Sequence, residues 1–176
     1  MYSYVALFRG INVGGHNLLP MAALTAILEE VGCLDIQTYI QSGNVTFRIP
    51  RKPGKKKVSE ITNLIETRHG FTPVILLLEK SELDAAIGAN PYPTTEGKSL
   101  HFYFLASTPE HPDLDSLQNI KMESENFKLK DAVLYLHAPD GIGRSKLAAR
   151  IEKCVGVNAT ARNWNTVKKL HAMIGA

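Results

Sequence analysis

The chain has 176 residues, 44% of them apolar and 21% charged, enough for one large domain or two small ones with a real core. The net charge of +3 overstates its basic character, because Arg51-Lys52-Pro53-Gly54-Lys55-Lys56-Lys57 holds five of the 20 basic residues and leaves 15 against 17 acidic ones. A uniformly basic nucleic-acid binder is excluded, and the one basic loop reads as a solvated connector. No apolar run nears membrane-spanning length, the longest being Val74 to Leu78. No secretory signal is visible, and Cys33 and Cys154 are lone cysteines without a C-x-x-C partner. The expectation is a cytoplasmic protein with reduced thiols and no membrane partner.

In chain order, Tyr4-Val5-Ala6-Leu7-Phe8 reads as a buried strand. Arg9-Gly10-Ile11-Asn12-Val13-Gly14-Gly15 follows as a glycine-rich loop that offers arginine and asparagine donors. Pro20 suits a helix's first turn, Met21, Leu24, Leu28 and Val31 recur at helical spacing, and Gly32 closes the helix. Ile36 to Ile40 predicts a second strand, Gln41-Ser42-Gly43-Asn44 a turn, and Val45, Phe47 and Ile49 a third strand paired as a hairpin. The basic loop leads into a helix with Val58, Ile61, Leu64 and Ile65 on one face. Val74 to Leu78 is the fourth strand.

Strand, helix, strand, strand, helix, strand is the split βαβ order of a ferredoxin-like unit. Glu82 to Ile87 predicts a short helix, and Asn90-Pro91-Tyr92-Pro93 a linker. The second half repeats the order. Leu100 to Leu105 is a strand, and Leu114, Leu117 and Ile120 mark a helix. A hairpin turns at Lys130-Asp131, and Leu147 to Val155 is a helix. A weak strand near Ala159 to Arg162 precedes a last helix with Val167, Leu170 and Ile174. The fold class is therefore α+β: a duplication of two ferredoxin-like (βαββαβ) halves, residues 1–89 and 90–176, with antiparallel sheets and an extra C-terminal helix.

That topology sorts the polar stretches. The first strand and the strand entering the hairpin end at one edge, so Arg9, Asn12, Gly14 and Gly15 should neighbour Gln41, Ser42 and Asn44, with the basic loop at the opposite rim. In the second half Arg144, Ser145 and Lys146 follow the third strand, and Arg162, Asn163, Trp164 and Thr166 end or follow the fourth. Ser145 and Asn163 or Asn165 suit N-caps, and two helix N-termini beside Arg144, Lys146 and Arg162 would suit an anion. Trp164 either stacks on a base or packs the last helix onto the sheet.

These blocks resemble a known family. Tyr4 to Gly15 with Pro20-Met21-Ala22, Thr38-Tyr39-Ile40-Gln41-Ser42-Gly43-Asn44-Val45, Gly143-Arg144-Ser145-Lys146-Leu147 and Thr160-Ala161-Arg162-Asn163-Trp164-Asn165-Thr166-Val167 are similar to the blocks of the DUF1697 family of uncharacterised, mainly bacterial proteins. His16 stands where many members carry lysine. The resemblance implies two ferredoxin-like parts and no established activity.

The chemistry narrows by elimination. Gly10 and Gly15 have P-loop separation, but His16-Asn17 replace the required Lys-Ser/Thr. Scattered histidines give no zinc spacing, so no metal is expected, the absence of G-x-S-x-G argues against a hydrolase nucleophile elbow, and no cofactor is expected. Asn44-Val45-Thr46-Phe47-Arg48-Ile49 lacks the RNA-recognition signature, and a first strand apolar on both faces implies a covered sheet. Two readings remain. One is a binding module for a phosphorylated or other anionic ligand, a nucleotide or RNA included, held in the cleft between the halves. The other is an enzyme acting on a small polar or phosphorylated substrate.

Overall fold

The computed structural model describes residues 1–175. Its first half runs β1 (Tyr2–Arg9), α1 (Met21–Glu30), β2 (Leu34–Tyr39), β3 (Asn44–Ile49), α2 (Lys55–His69) and β4 (Val74–Glu79). These strands form an antiparallel sheet in the order β2-β3-β1-β4. Alternation along β1 and β3 turns Tyr4, Ala6, Phe8, Val45, Phe47 and Ile49 toward one face. There they meet Leu24, Ile27 and Leu28 of α1 and Ile61 and Ile65 of α2. Each such aliphatic side chain contributes roughly 1.5–3 kcal/mol when fully buried. Val5 and Leu7, on the opposite face, are also fully buried, so β1 is covered on both sides, as its unbroken apolar run predicts.

After α3 (Lys80–Gly88) the order recurs: β5 (Leu100–Leu105), α4 (Leu114–Ile120), β6 (Asn126–Lys130), β7 (Val133–His137), α5 (Lys146–Val155) and β8 (Ala159–Asn163), then α6 (Trp164–Ile174). The second sheet is β6-β7-β5-β8, again antiparallel. Tyr103, Leu105, Leu134 and Leu136 pack against Leu117 of α4 and Leu147 and Ile151 of α5. The duplicated ferredoxin-like architecture is thus present in full, with α6 as the extra C-terminal helix.

Two compact units emerge, Met1–Asp84 joined by the chain from Leu170 onward, and Ala85–Lys169. The first division therefore falls inside α3, a few residues before the expected residue 89. The end of α6 counts with the first unit because Met173 and Ile174 wall a hollow whose floor includes Ser3 and Thr46.

Candidate functional site

The loop after β1 and the turn before β3 meet, as the topology requires. Asn12 joins them. Its Nδ2 donates to the Gln41 carbonyl and to the Leu19 carbonyl, each at 2.9 Å, and its Oδ1 accepts from the Leu19 N–H at 2.8 Å. With φ at 52°, Asn12 sits in the left-handed region that asparagine tolerates better than most residues. Asn17 repeats the device, donating from Nδ2 to the Gly10 carbonyl at 2.8 Å.

Asn44 is completely buried at the start of β3, and its Nδ2 reaches the Tyr39 carbonyl and Ser42 Oγ. The amides of Asn12 and Asn44 are thus engaged in holding this rim together. Gly14, Gly15, Gln41 and Ser42 are exposed on it, and Arg9 is half-buried. Gly43 locks the junction. Its N–H side is in the left-handed region at φ 75°, and a Cβ there would lie 2.5 Å from Phe8 Cβ and 2.8 Å from Ile11 Cδ1.

In the second unit His137 and Asn163 both lie at the end of their strands beside the start of β5. Ser145 caps α5 by accepting from the Ala148 N–H at 3.0 Å, and Asn163 caps α6 by accepting from the Thr166 N–H at 3.0 Å. The Trp164 ring lies 5.8 Å from that of Phe102, tilted by 30°, and Phe102 in turn meets Tyr135 edge-on at 4.9 Å. Trp164 is a packing residue in this arrangement. Thr166 is buried, while Arg144 and Lys146 are exposed on either side of Ser145. Arg162 pairs with Phe102 across the sheet, which puts both on one face, and donates from Nη1 to the Ala161 carbonyl. Burial pushes its guanidinium down to about 10.

The basic loop takes a form its sequence does not announce. It runs into α2 through Pro53 and an N-cap glycine, Gly54, with no side chain capping the helix. Lys55, Lys56 and Lys57 occupy the first turn without an acidic residue. Lys56 and Lys57, together with Arg51 and Lys52, border a cavity of about 440 Å³, walled also by Val31, Gly32 and Ile49. Lys52 pairs with Glu79 at 3.0 Å and Lys57 with Glu60 at 2.6 Å. The remaining cations, Arg51, Lys55 and Lys56, are exposed.

Two further features escape a reading along the chain. A hollow of about 580 Å³ lies on the first sheet, with Ser3, Gln37, Thr46 and Arg48 among its lining. This face of the sheet is therefore closed at Val5, Leu7, Asn44 and Thr46 and exposed at Gln37 and Arg48. The second feature is a histidine–carboxylate pair: His171 Nε2 lies 2.9 Å from Asp84 Oδ1, and Lys80 holds Asp84 Oδ2 at 2.8 Å. The Lys80 hydrogen bond, then that of His171, holds the Asp84 carboxyl below its usual range. No sequence pattern links residues 87 positions apart.

Cys33 and Cys154 are buried free thiols. Desolvation pushes Cys33 up to about 11, which makes it an inert apolar side chain. Among the described residues no cluster of three or more His, Cys, Asp or Glu could hold a metal ion, and no helix is long and apolar enough to cross a membrane.

The fold and its rims define an α+β protein of duplicated ferredoxin-like halves. The chain belongs to the DUF1697 family of proteins of unknown function, whose model matches residues 1–135. Its fold is similar to that of the conserved bacterial protein SP0830 from Streptococcus pneumoniae, with 22% identity, 98% of each chain covered and a TM-score of 0.71. A "putative glycine cleavage system transcriptional repressor" aligns over 92% of this chain and 96% of its own at 9% identity, but a TM-score of 0.23 is too low to inform the fold. No curated protein matches the chain.

Proposed function

We propose that the protein is a cytoplasmic binding module for a phosphorylated or otherwise anionic ligand. The observation that carries this reading is the first turn of α2, where Lys56 and Lys57 border a cavity and Lys55 is exposed on the same turn. A helix N-terminus is positively polarised, so a cation there is unfavourable by about 0.3–1 kcal/mol, and an anion stabilises it by a similar amount. Lys57 is matched by Glu60, but two further lysines, Lys55 and Lys56, at a helix end without a side-chain cap are poorly matched to it. They are well matched to a phosphate. The start of α5 shares the basic residues, Arg144 and Lys146, and the lack of an acidic residue in the first turn, but its end is capped by Ser145.

The test is thermal unfolding against inorganic phosphate, polyphosphate, nucleotides, sugar phosphates and short RNAs at several salt concentrations. A ligand at ~100 times its Kd adds roughly 2.7 kcal/mol. The double substitution Lys55→Glu and Lys56→Glu should raise the melting temperature of the free protein, because it corrects the helix end, and abolish the ligand shift. A shift that survives this variant but disappears in Arg144→Ala with Lys146→Ala would move the ligand to α5. No shift with any compound would end the anion reading.

One observation favours an enzyme instead. His171, oriented by Asp84, has the geometry of a general base held by a carboxylate. Turnover of a phosphorylated substrate, lost in both His171→Gln and Asp84→Asn, would establish that reading.

A further inference from the structure

The two sheets have four outer strands, and three of them carry features that discourage pairing with another chain. β2 is interrupted by a register shift between Leu34 and Gln37, with Asp35 at φ 51°. β6 carries Lys128 and Lys130, and β8 carries Arg162 before running directly into α6. β4 also ends in a charged residue, Glu79, and runs directly into α3, but its first five residues carry no charge and no irregularity. Val74-Ile75-Leu76-Leu77-Leu78 is a run of five aliphatic residues, all half-buried, in unbroken register with β1.

The direction of its free backbone groups follows from the ladder. The Phe8 N–H donates to the Gly43 carbonyl at 2.8 Å, so Phe8 points its main chain toward the hairpin and Leu7 points the other way, at Leu76. Antiparallel alternation then turns Leu76 back to β1 and directs the N–H and C=O groups of Ile75 and Leu77 outward. Glu79 has the same parity as Ile75 and Leu77, and its N–H is taken by Glu82 Oε2 at 2.7 Å.

We propose that β4 is the interface through which two copies of this chain pair edge to edge, antiparallel about a two-fold axis at Leu76. In this register Ile75 of each copy exchanges hydrogen bonds with Leu77 of the other, Leu76 faces its own counterpart, and Val74 faces Leu78. All five aliphatic residues overlap with no charge among them, and the two Glu79 carboxylates are kept apart. A strand that is self-complementary about one axis points to a second copy as its occupant. The irregular β2 edge cannot extend the array, so the assembly closes as a dimer instead of growing into a filament. This inference is independent of the ligand reading, because it uses neither α2 nor α5.

Sedimentation velocity of the full chain from low to high micromolar concentration reads the equilibrium directly. The wild type should shift from monomer to dimer, with the amides of Ile75 and Leu77 gaining hydrogen-exchange protection in step. Leu76→Lys and Leu76→Glu should each weaken self-association at least about tenfold, since like charges directly opposite on neighbouring strands repel, and mixing the two should restore a dimer. Leu77→Pro removes an outward N–H and leaves the β1 ladder intact, so it should give a folded monomer. The proposal is overturned by a wild type that stays monomeric throughout. It is also overturned by a dimer that the Leu76 pair and Leu77→Pro leave unchanged, or by Ile75 and Leu77 amides whose protection is independent of concentration. If the Leu76 variants fail to fold, folded Leu77→Pro still decides between these outcomes.

Discussion

The β2–β3 and β6–β7 hairpins hold equivalent places in the two halves and are closed in different ways. In the second half Lys130 pairs with Val133, so only Asp131 and Ala132 make the turn, with Asp131 at φ 49°. A two-residue turn of that kind matches the twist of its strands, and the neighbouring strand supports it through backbone, the Leu105 N–H donating to the Ala132 carbonyl at 2.9 Å. In the first half Tyr39 pairs with Asn44 across four residues, and both Ile40 and Gly43 lie at positive φ. That turn has the equivalent backbone bond, from the Phe8 N–H to the Gly43 carbonyl, and in addition a side chain from another loop, Asn12 donating to the Gln41 carbonyl. A cluster of polar residues at a rim can thus be a brace for a longer turn.

The comparison can be broken most severely at Gly43. Gly43→Ala combines left-handed strain with an overlap on Phe8 and Ile11, and urea unfolding should show a loss of about 3 kcal/mol or more. Gly141→Ala, also at positive φ but with nothing within 4 Å of the added carbon, should lose only about 1–2 kcal/mol. Equal losses would mean that the packing against Phe8 contributes nothing.

Asn12→Ala removes three hydrogen bonds and should cost roughly 2–4 kcal/mol. Asn163→Ala removes one helix cap and should cost about 1 kcal/mol. Equilibrium denaturation of the two variants side by side would show whether the brace outweighs the cap.

Ile40 allows the comparison to be sharpened in the stabilising direction. It is β-branched, exposed and held at φ 50°, a conformation that costs such a residue about 1–2 kcal/mol. Ile40→Asn should raise stability by roughly 0.5–1 kcal/mol in the same assay. Asp131→Ala at the two-residue hairpin should lower it by a similar amount.

The smallest effect distinguishes the halves by pH. His101 in β5 is 7% exposed, its Nδ1 has no hydrogen-bond partner, and burial lowers its pKa. The unfolded chain therefore binds a proton more readily than the folded one below about pH 6.5. Stability should fall as the pH drops through that value toward the folded pKa. Thermal scans of His101→Gln against the wild type should show a flatter acid limb, and an unchanged limb would assign the acid sensitivity elsewhere.

Local rules were enough for much of this. The hydrophobic periods predicted the order of strands and helices, because a buried face imposes its spacing on the chain wherever it lies. Ser145 and Asn163 were legible as caps, since a cap bonds only two or three residues ahead. The adjacency of the Arg9–Gly15 loop and the Gln41–Asn44 turn followed from topology alone. What those residues do there did not. Asn12 reads equally as a ligand donor or a brace until its partners at Leu19 and Gln41 are known.

The tertiary structure also gave the basic loop a different reading, since it looks like a connector until Lys56 and Lys57 are seen on the first turn of α2 lining a cavity. The His171–Asp84 pair and the open edge of β4 belong to the same class of fact. Sequence determined the elements, because the spacing of apolar residues, the caps and the turn residues are each set within a few positions along the chain. Only the folded chain decided which polar groups are used up and which edge is left open, because those depend on segments brought together from distant positions.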